Sequence, residues 1–197
     1  EALNAADIAI LCLPDAAARQ AVAMIDNQTT RVIDASTAHR VAADWVYGLV
    51  EIAGREKVAN ARFVSNPGCY STGFIALVAP LVQAGALPAD ALLSCNAVSG
   101  YSGGGKAMIA EYEGAGGQPD RQPSAWRGYA LGLTHKHVPE MQARCGLAHR
   151  PIFAPAVVPL YSGMVVDIPL HKAMLAPGED AAGLRARLTA FDVGFPT

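Results

Sequence analysis

One cysteine in a turn sequence is the residue of this chain that is best suited to do chemistry. Cys69 follows Asn66-Pro67-Gly68 and precedes an apolar stretch, residues 70–82, whose pattern predicts a helix. The first turn of a helix carries unpaired N–H groups and a partial positive charge, which favour the thiolate. Because the thiolate is the nucleophile, Cys69 is predicted to act in covalent catalysis. A packed core cysteine is the alternative, and a Pro-Gly turn does not favour it.

A glycine-rich segment follows a predicted strand over residues 91–99. Residues 100–106 satisfy the spacing Gly-x-x-x-x-Gly-Lys, which is typical of the phosphate loop of nucleotide hydrolases. Ala107 comes next, however, so the hydroxyl that would hold magnesium is missing. The segment therefore predicts only a site for an anionic group, with Lys106 as its cation. A flexible glycine hinge with a solvated lysine is the alternative.

Two histidines precede a predicted helix start at Pro139-Glu140. His135 and His137 are two residues apart, so on a strand they would share a face and could hold a metal. No third ligand lies nearby in the sequence, and we predict no metal. A buried, hydrogen-bonded histidine is the usual case, but the position before a helix start indicates that one of the two faces a site. The residues alone do not say which one.

The composition excludes several classes of function. The chain has 197 residues, 52% of them hydrophobic and 16% charged, with a net charge of −2, which predicts a well-packed core and neither a nucleic-acid nor a membrane partner. No apolar run is long enough to span a bilayer, and no secretory signal opens the sequence. The cysteines are widely spaced, which predicts no zinc site and a reducing, cytoplasmic location: Cys12, Cys69, Cys95 and Cys145.

The first third of the chain reads as strand, helix, strand. Residues 5–13 form a near-continuous apolar run, which predicts a parallel strand covered on both faces. Residues 16–25 predict a helix and residues 30–35 the next strand. This alternation is typical of a doubly wound α/β domain, in which ligands bind beyond the carboxyl ends of the strands. The loops 13–15 and 34–40 are therefore candidate ligand loops, although both could be plain connectors.

The rest of the chain is richer in strands and long connections. The further predictions are an irregular segment with one short helix (45–60), a short strand (62–65), a glycine- and proline-rich loop (113–124), an antiparallel hairpin (151–158 and 162–171) and a last helix (178–190). The change in character predicts a domain boundary near Asn66, with domains over residues 1–66 and 67–197. The sequence starts at Glu1 in a helix-like pattern and ends soon after a helix, so we expect a fragment of a longer chain.

Three motifs together resemble one enzyme family. Residues 64–73, 99–106 and 135–140 are similar to N-acetyl-γ-glutamyl-phosphate reductases, and residues 34–40 fit the short-chain subtype of that family. The resemblance implies an incomplete Rossmann-like dinucleotide-binding domain followed by an α+β catalytic and dimerisation domain, as in semialdehyde dehydrogenases. It also implies a homo-oligomer, either a dimer or a tetramer.

The resemblance further implies a reaction and roles for individual residues. The family reduces an acyl phosphate to an aldehyde with NADPH, so Cys69 would form a thioester and His137, or else His135, would be its acid/base partner. Implied substrate-binding residues are Lys106, Arg40, His135, Glu140 and Ser99. Implied cofactor-binding residues are Leu13, Pro14, Ser36, Gly100, Ser102 and Gly103.

Three other interpretations of the motifs remain open. A related reductase acting on a carrier-bound aminoadipyl phosphate in lysine synthesis would share the same chemistry. Aspartate-semialdehyde dehydrogenase has a similar plan with a different cysteine motif. A binding module without catalysis, which takes an anion at the glycine-rich segment, is the alternative from another functional class.

Overall fold

The computed structural model describes residues 1–114 and 124–193, which contain two four-stranded sheets. The first sheet is entirely parallel, in the order β1-β2-β4-β3. Its strands are β1 (Ile8–Leu11), β2 (Arg31–Asp34), β3 (Val46–Tyr47) and β4 (Phe63–Ser65). Helix α1 (Ala2–Ala5) precedes β1, and the helices between the strands are α2 (Asp15–Ala23), α3 (Val50–Ala53) and α4 (Arg55–Asn60). The predicted strands and the first helix are confirmed. The segment 45–60 holds two short helices and a strand rather than one helix.

One face of the first sheet is open. Ala9 and Leu11 are buried beneath α2, whereas Ile8 is 52% and Ile10 67% exposed. The prediction that this strand is covered on both faces is therefore wrong for the described residues. A parallel strand needs an apolar layer on each side, and the described residues supply one on a single face, which includes Leu3 of α1 and Val22 of α2.

The second sheet is mixed, in the order β6-β7-β5-β8. Its strands are β5 (Ser94–Gly100), β6 (Arg127–Gly128), β7 (Ile152–Val158) and β8 (Met164–Asp167), and the helices of this half are α5 (Cys69–Gln83), α6 (Gly105–Glu113), α7 (Val138–Cys145) and α8 (Ala181–Val193). The predicted helices over 70–82 and 178–190 are confirmed. Most of the loop predicted over 113–124 lies outside the described residues.

The predicted hairpin is wrong, because β5 lies between its two strands. Ala97 of β5 pairs with Pro155 of the parallel β7 on one side and with Val166 of the antiparallel β8 on the other. Alternating hydrophobicity reports which face of a strand is buried but not which strand is its neighbour. The two histidines are also not on a strand, since they lie in the turn before α7.

Helix α5 is the centre of the larger core. Phe74, Ile75 and Val78 are at most 1% exposed and belong to the same buried cluster as Met141 of α7 and Phe153 of β7. Burying each such side chain stabilises the fold by about 1.5–3 kcal/mol. The first residue of α5 is thereby held firmly relative to both α7 and the second sheet.

Among the described residues, no helix is long and apolar enough to cross a membrane.

Candidate active site

Cys69 is the first residue of α5, and Gly68 is the N-cap residue of that helix. Its side chain is exposed, as is that of Cys12. The other two thiols are buried in the core, and burial raises the pKa of Cys95 and of Cys145 to about 12 each. The helix start is therefore occupied by an accessible thiol, whereas the two core thiols are held in their unreactive form.

A cavity of about 500 Å³ opens beside this thiol. Six residues predicted from the sequence line it: Cys69, Ser99, Gly100, Ser102, Gly103 and His135. Among the other lining residues, three with polar side chains were missed, Tyr70, Tyr129 and Lys136. Two of the three were adjacent to predicted site residues, since Tyr70 follows the cysteine and Lys136 separates the histidines. Tyr129 carried no local signal, because it reaches the cavity only through the fold.

A chain of hydroxyl groups runs along the cavity. Tyr129 donates a hydrogen bond to the Tyr70 hydroxyl (3.0 Å), and Tyr70 donates to Ser99 Oγ (2.8 Å). Burial raises the pKa of Tyr129, so this phenol stays protonated. Because Ser99 Oγ accepts from Tyr70, the serine hydrogen is available to a ligand in the cavity.

His135 has a defined protonation state in this setting. Its Nδ1 accepts the backbone N–H of His137 (3.2 Å), so the neutral ring carries its proton on Nε2. The ring lies among the rings of Tyr70, Tyr129 and Phe153, with centroids 6.2, 5.9 and 5.0 Å away. Burial, and then the charge of Lys136, lowers the pKa of His135, so the ring is neutral at pH 7. His135 therefore offers a hydrogen-bond donor beside the thiol.

Glu140 lies behind the cysteine turn and is only 1% exposed. Its Oε1 accepts from Arg40 Nη1 (2.9 Å), and its Oε2 accepts from the Tyr47 hydroxyl (2.7 Å) and the Gly68 N–H (3.2 Å). None of these four residues lines the cavity. The network joins the first sheet to α7 through the turn that carries the thiol.

His137 belongs to this buried side as well. The side chain is 5% exposed, and its Nε2 is 3.9 Å from Glu140 Oε1. Burial lowers the pKa of His137 to about 3, with further contributions from His135, Arg40 and Lys136. At neutral pH the ring is uncharged, and it does not line the cavity.

Gly68 is required by the crowding at this point. A Cβ at this position would lie 2.5 Å from Arg40 Nη1 and 2.6 Å from both Glu140 Oε1 and His137 Nε2. No side chain can be accommodated without displacing these buried groups. The glycine of the cysteine motif is thus explained by packing behind the turn.

The remaining predicted residues lie away from the cavity. Lys106 is exposed as the second residue of α6 and does not line the cavity. Leu13 is 41% exposed in the loop after β1, next to the exposed Pro14. Ser36 follows β2 and is 8% exposed, and its hydroxyl donates to Asp34 Oδ2 (2.7 Å). These loops meet at the carboxyl ends of β1 and β2, where Thr37 N–H donates to Asp15 Oδ1 (3.0 Å).

Comparison with known families accounts for both halves of the chain. The semialdehyde dehydrogenase NAD binding domain matches residues 1–61, and the semialdehyde dehydrogenase dimerisation domain matches residues 69–191. The chain belongs to the semialdehyde dehydrogenase family. The fold class predicted from the sequence, an α/β nucleotide-binding domain followed by an α+β dimerisation domain, is confirmed.

Curated relatives extend the comparison to individual proteins. The chain is 52% identical over 190 residues to N-acetyl-gamma-glutamyl-phosphate reductase of Burkholderia lata, covering 95% of this chain and 59% of the relative. It is 51% identical over 195 residues to the protein of the same name from Brucella ovis, covering 98% of this chain and 63% of the relative. The resemblance seen in the sequence motifs is confirmed. The chain spans less than two thirds of the length of these relatives.

Solved structures of the family share the fold. Aspartate semialdehyde dehydrogenase II from Vibrio cholerae superimposes with a TM-score of 0.72 at 18% identity, covering 96% of this chain and 62% of that one. A probable aspartate-semialdehyde dehydrogenase from Pseudomonas aeruginosa gives a TM-score of 0.70 at 19% identity, covering 95% of this chain and 61% of that one.

The residues present fit a nicotinamide dinucleotide better than a metal. Leu13 and Pro14 offer apolar contacts at the strand ends, and Ser102 offers a hydroxyl beside the glycine backbone. A Cβ added at Gly103 would meet little of the protein, because its nearest neighbour would be Ser99 Oγ at 3.6 Å. Within residues 1–114 and 124–193, no three His, Cys, Asp or Glu side chains are grouped as a metal site.

Proposed function

We propose that this protein reduces N-acetyl-γ-glutamyl phosphate to N-acetylglutamate semialdehyde with NADPH, a step of arginine biosynthesis. The observation that carries the proposal is the exposed Cys69 at the start of α5, on a cavity shared with His135 and Lys136. The names of relatives about half identical to this chain support the choice of substrate. Aspartate semialdehyde is not favoured, because its dehydrogenases share only the fold.

The cysteine provides covalent catalysis. The Cys69 thiolate attacks the acyl carbon, the carbon–oxygen bond to the phosphoryl group breaks, and phosphate leaves with the bonding electron pair. Reduction of the resulting thioester requires a hydride, which a nicotinamide cofactor would supply when bound at the loops described below. The carbon–sulfur bond then breaks to release the aldehyde and restore the thiolate. N–H groups in the first turn of α5 stabilise the negative oxygen that develops in these steps.

His135 is the histidine that the geometry favours for the reacting centre. It lines the cavity and holds its proton at Nε2, so it can donate to the carbonyl oxygen as negative charge develops. The resemblance ranked His137 first, but that ring is buried next to Glu140 and does not line the cavity, although it packs edge-on against the ring of His135 (centroids 4.6 Å apart). In our proposal His137 packs against the turn, and His135 meets the substrate.

Lys136 is the proposed cation for the phosphoryl group. It lines the same cavity as the thiol, together with Ser99, whose hydroxyl hydrogen is free to donate. An ammonium group and a hydroxyl suit a phosphate dianion, which accepts hydrogen bonds from both. The alternative cation, Lys106, remains the prediction made from the glycine-rich segment.

We assign NADP to the loops at the strand ends and to the glycine-rich turn. Leu13 and Pro14 would contact the dinucleotide from the first domain, and Ser102 and Gly103 would contact it from the second. The loop that contains Ser36 would contact the dinucleotide, but the Ser36 hydroxyl would not, since it donates its hydrogen bond to Asp34.

We also propose a homo-oligomer, a dimer or tetramer, assembled through the second sheet. Ile152 and Val165 are 55% and 66% exposed, and register puts both on the sheet face opposite the buried Cys95 and Ala97. This exposed apolar face belongs to the region that matches the dimerisation domain. The four unpaired cysteines are compatible with a cytoplasmic location.

The reaction is tested in reverse on the full-length protein. Phosphate-dependent reduction of NADP should occur with N-acetylglutamate semialdehyde and should disappear in Cys69→Ser. Cys12→Ser is the matched control, because it changes the other exposed thiol and should retain activity. The proposal fails if aspartate semialdehyde is turned over and the N-acetylated substrate is not, or if Cys69→Ser remains active.

A further inference from the structure

The carboxylate of Glu140 is buried and hydrogen-bonded to the protein, so it is not available to a ligand. Its two oxygens accept three hydrogen bonds, from Arg40, from the Tyr47 hydroxyl and from the Gly68 N–H, and the residue is 1% exposed. His137 Nε2 approaches Oε1 to 3.9 Å. A buried carboxylate persists only where it is paired and hydrogen-bonded in this way. A substrate could reach Glu140 only by displacing these partners.

Arg40 is equally committed to the protein. Besides Glu140, its guanidinium donates from Nε to Asn66 O (2.9 Å) and from Nη2 to Ala35 O (3.2 Å). The backbone oxygen of Arg40 in turn accepts from Arg144 Nε (3.1 Å) on α7. One guanidinium thus ties the loop after β2, the residue before Pro67 and helix α7 together.

The two side chains hold the cysteine turn at both of its ends. Arg40 binds the backbone oxygen of Asn66, and Glu140 binds the N–H of Gly68, so the peptide units on either side of Pro67 are fixed to α7. Tyr47 completes the arrangement from β3. Burial, and then the Glu140 charge, raises the pKa of Tyr47, so its hydroxyl remains a donor.

We infer that Glu140, Arg40 and Tyr47 are positioning residues, which fix the Asn66–Gly68 turn and thereby hold the Cys69 thiol on the first turn of α5, and that Glu140 and Arg40 do not bind substrate. The inference rests on the proposed role of Cys69 as nucleophile. It goes against the substrate-binding roles that the family resemblance implies for Glu140 and Arg40. Loosening the turn should reduce the reactivity of the thiol, because a frayed first turn withdraws its N–H groups.

The test measures how fast iodoacetamide alkylates Cys69 in the folded, full-length protein, with the exposed Cys12 of the same molecule as the reference. The variants are Tyr47→Phe, which removes one hydroxyl that does not line the cavity, and Glu140→Gln. Tyr112→Phe is the matched control, because this buried tyrosine has no hydrogen-bond partner for its hydroxyl among the described residues. Alkylation requires no substrate, so this result is independent of whether the reductase activity is correct.

The Cys69-to-Cys12 rate ratio should fall about twofold to tenfold in Tyr47→Phe, as expected for one neutral hydrogen bond. It should fall about tenfold or more in Glu140→Gln, where a charged acceptor is lost. Tyr112→Phe should match the wild type. In turnover assays kcat should fall while KM stays within about twofold.

An unchanged ratio in folded Tyr47→Phe would overturn the inference, even if Glu140→Gln fails to fold. A raised KM with unchanged kcat in Tyr47→Phe or Glu140→Gln would do so too, since it would indicate a substrate-binding role.

Discussion

The two sides of the Gly68–Cys69 peptide differ in how their polar groups are used. On the cavity side, His135 is partly exposed and Lys136 exposed, and the donors of His135 and Ser99 are free to meet a ligand. On the buried side, Glu140 is enclosed and hydrogen-bonded to protein donors, and its neighbour His137 is likewise buried. In our proposal the first side binds the substrate and reacts with it, and the second side holds the reacting group in place.

One short segment supplies both sides. Residues 135 and 136 line the cavity, whereas residues 137 and 140 are buried and do not line it. The segment lies in a turn that leads into α7, so neighbouring residues face different regions. The difference shows that adjacent polar residues of a single motif can have different surroundings, and we propose that their roles differ accordingly, one chemical and one positional.

Substitution of the two histidines should give the largest difference in kcat between the cavity side and the buried side. His135→Asn should lower kcat about 10²–10⁴-fold, the usual contribution of a group that handles a proton at the reacting centre. His137→Asn should lower kcat much less, because its ring does not line the cavity. Both variants are assayed in parallel, with circular dichroism to verify folding. If the large loss occurs in His137→Asn instead, the roles of the two histidines are reversed.

The two lysines test the contrast at the substrate. Lys136→Ala should raise the KM for the acyl phosphate about tenfold to a hundredfold, as expected from losing a charge-assisted hydrogen bond. Lys106→Ala is the matched variant outside the cavity and should change KM little. Steady-state kinetics with varied acyl phosphate, and with varied inorganic phosphate in reverse, give both values. A rise confined to Lys106→Ala would restore the anion site predicted from the glycine-rich segment.

The third test is a pH dependence of stability that comes from the buried side. The pKa of His137 is lowered to about 3 in the folded chain, so the unfolded chain takes up a proton first as the pH falls below about 6.5. Stability should therefore decrease between about pH 6.5 and pH 3, by at most about 1.4 kcal/mol per pH unit from this group. The lowered pKa of His135 acts in the same direction.

Urea unfolding of the wild type and of His137→Asn, from about pH 7 to about pH 5, measures this contribution. The variant should lose less stability than the wild type as the pH is lowered. Equal losses would show that His137 is not buried in its neutral form.

Local patterns were enough to predict the parts of the fold and site that depend on neighbouring residues. Helix α5 and the cysteine at its start follow from the Pro-Gly pair and the apolar run, and both are confirmed. The pairing of β7 and β8 with β5 depends on residues far apart in the chain, and the predicted hairpin was wrong. The burial of Arg40 and Glu140 could not be predicted either, because the pair is separated by 100 positions and meets only in the fold.

The central claim, that Cys69 carries the acyl group, is tested most directly by trapping the intermediate. The full-length protein is mixed with N-acetyl-γ-glutamyl phosphate without reduced cofactor, and the alkylated digest is analysed by mass spectrometry. The account predicts an N-acetylglutamyl group on the peptide that contains Cys69, release of one phosphate per acyl group, and loss of both in Cys69→Ser. An unmodified Cys69 peptide in enzyme that turns over this substrate, or acylation at another residue, would contradict the account.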